Sequence, residues 1–357
     1  MKWLLRILGF ALVVVLVVLV GGWFALKRPD IPYETLEAKY AGTESKYLDL
    51  EGGVRVRYTD RGDPEAPALV LVHGYTASLD TWKPWAKELG DYRVIAIDLP
   101  GHGLTRAPAD WAASPAAYAA VIEQVAAKLK LERFVLVGQS MGGYAAWEYA
   151  LAHPERLHGL VLVGAAGWPD ERPETAEQRN SALSKAVANP TGRALLRDLD
   201  TTTVLRNGLL RAFETDALVT DAMVDRYVEM SRAPGHRDIT MRAMAAWESW
   251  PRATPERLAA LRVPTLILHG ETDHLVPLDH ARKFDAAIPD SRLIVYRGAG
   301  HMVNEEAAER TAADLKAFMG ALKLGPAPEA PAAAGEAATA GTLPPATGPL
   351  DPSLIFH

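Results

Sequence analysis

Residues 134–147, "FVLVGQSMGGYAAW", run from apolar β-formers to a serine set among glycines, and then straight into a helical pattern. Phe134–Val137 is short and β-branched, as suits a strand buried on both faces. From Met141 to His153 good helix formers carry recurring apolar positions, and Pro154 stops the run. Between the two, Gly138-Gln139-Ser140-Met141-Gly142 fits G-x-S-x-G. A serine there occupies a strained strand-to-helix turn, and small residues two positions either side let the chain pass close to itself. A glycine-rich turn that happens to hold a serine would read the same way, so the motif needs partners before it means chemistry.

Strands and helices alternate outward from this turn. "YLDLEGGVRVRYTD" reads as two short strands joined by a Gly-Gly turn. "ALVLVHG", a helix near Trp82–Leu89, "YRVIAID" and a helix from about Pro115 to Leu129 follow, the last with Ser114 as cap. After the serine come "LHGLVLVG", "PTLILHG" and "SRLIVY". Such alternation predicts a mostly parallel sheet with helices on both faces, and active residues at the C-terminal ends of its strands. One stretch interrupts it. Between Gly164 and Val263 the spacing is helical, punctuated by Pro190, Pro234 and Pro251. An insertion at about 168–252 reads as a lid over the strand ends. Leu205, Leu209, Leu210, Phe213, Met223, Tyr227 and Met230 are its candidate pocket residues, although most of them would equally serve to pack the lid on the core.

The two ends of the chain differ from this middle. Ile7–Leu26 is an unbroken run of apolar residues and glycine, long enough to span a bilayer, with Lys2 and Arg6 before it and Lys27 and Arg28 after. Residues 1–28 are therefore expected to be a transmembrane anchor. The amino terminus with Lys2 and Arg6 outweighs Lys27 and Arg28, which places the rest of the chain on the extracytoplasmic (periplasmic) side. A cleaved signal peptide competes with this, since Val20-Gly21-Gly22 fits a small-residue cleavage site. Residues 29–45 read as an exposed linker and 46–324 as the catalytic domain. Residues 325–357, rich in Ala, Pro and Gly, read as a disordered tail.

Composition narrows the function classes. Hydrophobic residues at 49% and charged residues at 23% of 357 suit a globular chain. A net charge of -6, with no basic stripe among aromatics, argues against a nucleic-acid partner. The absence of cysteine removes disulfides, thiolate catalysis and zinc–thiolate sites, and leaves the compartment open.

Partners for the serine lie at other strand ends. Asp273 follows the strand in "LILHGETDHLVP", and His301 follows the one in "VYRGAGHMVN". A hydroxyl is a poor nucleophile near pH 7 and needs a base within hydrogen-bond reach. That base in turn needs an acceptor to fix its tautomer and stabilise the imidazolium. Ser140, Asp273 and His301 stand in the order expected of α/β-hydrolases. An anionic intermediate also needs donors, and the backbone N–H groups of Tyr75 and Met141 are the candidate oxyanion hole, Met141 opening a helix. His73 reads as structural, and His102 in "DLPGHGLT" fits the chain order less well than His301.

On these blocks ("LVHGYTASLDTW", "IDLPGHGLT", "LVGQSMGG", "HGETDHLVP", "GAGHMVNEE") the sequence resembles the α/β-hydrolase superfamily over roughly Tyr47–Leu324. Among its branches it is most similar to membrane-associated bacterial lipases and esterases, and to monoacylglycerol-lipase-like hydrolases. Thr105 stands where serine is commoner, and Ala308 where a proline often follows the glutamate, here Glu306. The resemblance implies Ser140 as nucleophile, His301 as base and Asp273 as orienting acid. It also implies the elbow glycines Gly138 and Gly142, and neither metal nor organic cofactor. The expected activity is hydrolysis of a small-molecule ester or lipid with an apolar acyl chain. Hydrolysis of a β-diketone carbon–carbon bond or of a small peptide is the rival, and an anchored binding protein without activity is the alternative of another class.

Overall fold

The computed structural model describes residues 2–173, 177, 180–322 and 324; the tail expected at 325–357 lies outside them. One eight-stranded sheet is built from β1 Lys46–Asp49, β2 Arg55–Arg61, β3 Ala68–Val72, β4 Arg93–Ile97, β5 Phe134–Gln139, β6 Leu157–Val163, β7 Thr265–Gly270 and β8 Ser291–Tyr296. Its order is β1-β2-β4-β3-β5-β6-β7-β8, antiparallel at β1–β2 and β2–β4 and parallel from β4 onward. Gly52 and Gly53, both with positive φ, turn the chain between β1 and β2.

The apolar runs of the central strands have a simple cause. Val70, Val72 and Leu136 join one buried cluster, whereas Leu69, Leu71, Val135 and Val137 join another. Side chains alternate across a strand, and here helices cover both faces, so every position is apolar. Before the insertion the helices are α1 Lys2–Leu26, α2 Tyr33–Tyr40, α3 Lys83–Glu88, α4 Pro115–Lys128 and α5 Met141–Ala152. The Ser114 hydroxyl accepts the Ala117 N–H at 3.1 Å and caps α4. Within the insertion lie α6 Ala182–Ala188, α7 Pro190–Leu196, α8 Thr202–Ala212, α9 Asp221–Ser231 and α10 His236–Ala246. The short α11 Pro255–Leu258, then α12 Leu278–Ala287, the short α13 Val303–Glu306 and α14 Ala308–Ala321 complete the fold.

Residues 29–45 depart from the exposed linker expected of them. They carry α2, and Tyr33 and Leu36 are buried against Leu104, Met230 and Ala233. Tyr33 Oη donates to the Thr105 carbonyl at 3.2 Å. The charges in "YETLEAKY" suggest exposure, but Tyr33, Leu36 and Tyr40 fall at helical spacing on one face. That face docks beneath the insertion. Helix α1 is the one helix among the described residues long and apolar enough to cross a membrane.

Candidate active site

Strand order places the site. The chain leaves β3 for β4 on one side and returns to β5 on the other, so a crevice opens at the C-terminal ends of β3 and β5. Ser140 sits there with φ 53° and ψ −115°, between the end of β5 and the start of α5. That conformation is costly for a residue with a side chain and persists because its surroundings fix it. The Ser140 N–H donates to the Val163 carbonyl at 2.9 Å, and its carbonyl accepts from Tyr144 at 3.0 Å and Ala166 at 3.1 Å. Glycine is required on either side. A Cβ at Gly138 would overlap the Gly142 carbonyl, and one at Gly142 would overlap the carbonyls of Val72 and His73.

Asp273 and His301, expected from their places after successive strands and from their chain order, meet. His301 Nδ1 lies 2.7 Å from Asp273 Oδ2, and both residues are buried. The other oxygen, Oδ1, accepts the N–H groups of Leu275 and Val276, each at 2.8 Å. Burial works against the Asp273 charge, but the His301 charge and hydrogen bond, with His269 and the Val276 N–H, outweigh it and hold its pKa below the usual carboxylate value. The carboxylate is thus fixed and ionised, as an orienting group must be. Gly164, at φ 50°, leaves room for the pair: a Cβ there would lie 3.2 Å from His301 Nδ1. The serine and histidine loops also touch, since Gln139 Nε2 reaches Met302 Sδ at 3.7 Å.

One oxyanion candidate follows the serine in the chain, and the other sits in the loop beside it, where a Cβ at Gly74 would lie 3.0 Å from Ser140 Cβ. Met141 is the first residue of α5, where a backbone N–H has no partner within the helix. Tyr75 follows β3 in the loop with Gly74 and Thr76, the latter at φ 61°. His73 shapes this loop from below. Its Nδ1 donates to the Gly74 carbonyl at 2.7 Å and its Nε2 accepts the Leu99 N–H at 3.0 Å. Burial lowers its pKa, which keeps the ring neutral in that tautomer. His102 is buried in the neighbouring loop, 5.2 Å from the His73 ring centroid, and is likewise held neutral by burial.

Some groups around the site escaped the sequence reading. His269 Nε2 is 3.5 Å from Asp273 Oδ2 while bonded to the Val276 carbonyl at 3.0 Å, so a second imidazole braces the acid; its position four residues before Asp273 was the available signal. Asp98 organises the loop 98–105, its carboxylate accepting from Leu79 at 2.6 Å and Leu104 at 2.8 Å and lying 3.3 Å from Arg57. Thr105 fits because its hydroxyl donates to the Asp98 carbonyl at 2.7 Å. The lid closes over Met302: Leu205, Leu209, Leu210, Phe213, Met223 and Tyr227 share one apolar cluster with it. Met230, expected among them, packs instead with Tyr33 and Leu36, because α2 occupies that side of α9. No group of three or more His, Asp or Glu among the described residues is placed to hold a metal ion.

Comparison with known proteins places the fold. Residues 67–308 match the family model described as alpha/beta hydrolase fold. A 2-hydroxy-6-oxononadienedioate/2-hydroxy-6-oxononatrienedioate hydrolase of Paraburkholderia phymatum is 32% identical over 293 residues, covering 77% of this chain and 96% of its own. Two solved structures superpose well. A meta-cleavage product hydrolase from Pseudomonas fluorescens has a TM-score of 0.65 at 26% identity, over 77% of this chain and 97% of its own. A thermophilic esterase from Thermogutta terrifontis has a TM-score of 0.64 at 27% identity, over 78% of this chain and 98% of its own.

Proposed function

Since the chain belongs to the α/β-hydrolase fold family, we propose that it is a serine hydrolase of carboxylic esters with apolar acyl chains. The observation that carries this reading is the wall beside the histidine: Met302 with Leu209, Phe213 and Leu205, all apolar and next to an ordered Asp273–His301 pair. In the proposed reaction His301 takes the Ser140 proton as the hydroxyl oxygen attacks the ester carbonyl. The N–H groups of Tyr75 and Met141 receive the oxyanion. Collapse expels the alcohol, which takes the proton from His301, and leaves an acyl group on Ser140. Water, deprotonated by His301, then releases the acid and restores the serine.

A second reading is hydrolysis of a carbon–carbon bond, and the 32% identical relative favours it. The same triad could serve. The dienedioate in that relative's name carries two carboxylates, and a dianion calls for cations, whereas the cluster around Met302 is apolar. Helix α1 fits the ester reading, tethering the enzyme to the extracytoplasmic face of a membrane, where apolar esters partition; a cleaved signal sequence is the other reading of that segment. The experiment is a p-nitrophenyl ester series run beside a meta-cleavage dienoate, with Ser140→Ala as control. Turnover of medium or long acyl esters, abolished in the variant, supports the proposal. Turnover of the dienoate with inert esters would replace it.

A further inference from the structure

Leu195 and Val204 are 55% and 65% exposed, on helices of the lid. Among the described residues beyond α1, large apolar side chains this exposed are confined to Leu183, Leu195 and Val204, all in the insertion. The same part of the insertion is bolted to the end of α1. Trp23 Nε1 donates to the Leu195 carbonyl at 2.9 Å. The Asp200 N–H donates to the Leu26 carbonyl at 2.9 Å, and the Arg28 N–H to the Asp198 carbonyl at 2.6 Å, so Lys27 and Leu199 form a short antiparallel bridge. Charges lock it: Arg197 and the buried Arg237 both reach Asp30, at 2.7 and 2.5 Å, and Arg28 pairs with Asp200 at 3.1 Å.

These contacts fix depth. In a membrane-spanning helix, a Trp in the last turn followed by Lys27 and Arg28 marks the lipid–water interface. Leu195, bonded through its carbonyl to Trp23, shares that level. Val204 lies on the first turn of α8, four residues beyond Asp200, whose N–H is bonded to Leu26. We propose that this face of the lid, centred on Leu195 and Val204, lies in the interfacial layer of the bilayer, with α8 running from the lipid surface to the catalytic histidine. At its far end the Ala212 carbonyl accepts the His301 N–H at 2.7 Å. A lipid ester would then reach Ser140 from the membrane without crossing bulk water. The proposal rests on α1 being a retained membrane helix.

The chain has no cysteine, so single cysteines can report position. Full-length Leu195→Cys, Val204→Cys and, on the exposed end of α4, Lys128→Cys are labelled with an environment-sensitive fluorophore. They are then reconstituted into phosphatidylcholine–phosphatidylglycerol vesicles containing headgroup-proximal doxyl lipid. Quenching at 195 and 204, with none at 128, is the expected result. Equal quenching at all three sites, or at none, in protein that floats with the vesicles overturns the proposal. A blue shift at 195 and 204 without lipid quenching means that a second copy covers the face, and overturns it too. Protein that fails to float refutes the anchor, and the proposal with it. Quenching needs no substrate, so it reads independently of the ester assignment. A Leu195→Asp, Val204→Asp double variant supplies the functional arm. It should keep wild-type turnover of a water-soluble ester and lose several-fold on vesicle-dispersed ester, and an equal effect on both substrates would contradict the interfacial role.

Discussion

At the residue scale, Asp273 is the sharpest test of the assigned roles, because its two oxygens are not equivalent. Oδ1 accepts two backbone N–H groups and Oδ2 faces His301. In Asp273→Asn the amide oxygen must stay toward Leu275 and Val276, since two buried donors need it. The amide NH₂ is then forced toward His301 Nδ1 and selects the wrong tautomer. Turnover should fall on the order of 10⁴-fold with the melting temperature nearly unchanged. A variant within tenfold of wild type would remove Asp273 from the mechanism. Residues of this kind were legible in the sequence because each follows an apolar strand and the turn glycines leave only one backbone path. His269 was not, since a histidine four residues before an acid is commonplace until a turn folds the two together.

At the element scale, the loop after β8 is where the lid and His301, the proposed base, become one unit. Glu306 accepts the Gly300 N–H on one oxygen and the Glu214 N–H on the other, each at 2.9 Å. The Ala212 carbonyl meanwhile takes the N–H groups of His301 and Met302. Glu306→Ala leaves two donors without their acceptor, and should cost on the order of 2 kcal/mol in urea unfolding while lowering turnover through a looser His301 turn. Unchanged stability would show that the contact does not hold the lid. Its neighbour Glu305 gives a pH signature. Burial lifts its pKa from 4.5 to about 7, against the opposing Thr81 hydroxyl 2.5 Å away and the charge of Arg226. The folded protein therefore binds the proton more tightly than the unfolded chain does. That contribution is complete below pH 4.5 and is lost as pH rises through about 7. Glu305→Gln stays neutral throughout, so its stability relative to wild type should rise between pH 5 and pH 8, by at most about 3 kcal/mol. A pH-independent difference would refute the assignment. The sequence pattern revealed the lid as helical but not where its helices dock. Amphipathic spacing marks a buried face without naming its partner, which is how Met230 came to be placed with the pocket and α2 with a linker.

At the scale of the whole molecule, the apolar helix α1 and the hydrolase domain are joined by structure rather than by a flexible tether. Tyr33, Leu36, Asp30 and Arg28 all make contacts to the insertion or to the loop 98–105 beneath it. Removing the apolar part of α1 and removing the clamp should therefore have different effects. A chain lacking residues 1–21 retains Trp23–Asp30 and α2. It should leave the membrane fraction, turn over a short water-soluble ester at the wild-type rate, and lose activity on membrane-dispersed ester because local concentration at the bilayer is lost. A chain lacking residues 1–45 also loses the buried Tyr33 and Leu36 side chains. Each is worth roughly 1.5–3 kcal/mol when fully buried, and the ion pairs on Asp30 go with them. Its lid should melt first: protease sensitivity within 180–252 should rise, and turnover of the soluble ester should fall along with thermal stability. Equal stability and soluble-ester turnover in the two truncations would mean that residues 22–45 only pass over the lid. A fall in both already in the shorter truncation would mean that residues 1–21 are themselves part of the fold.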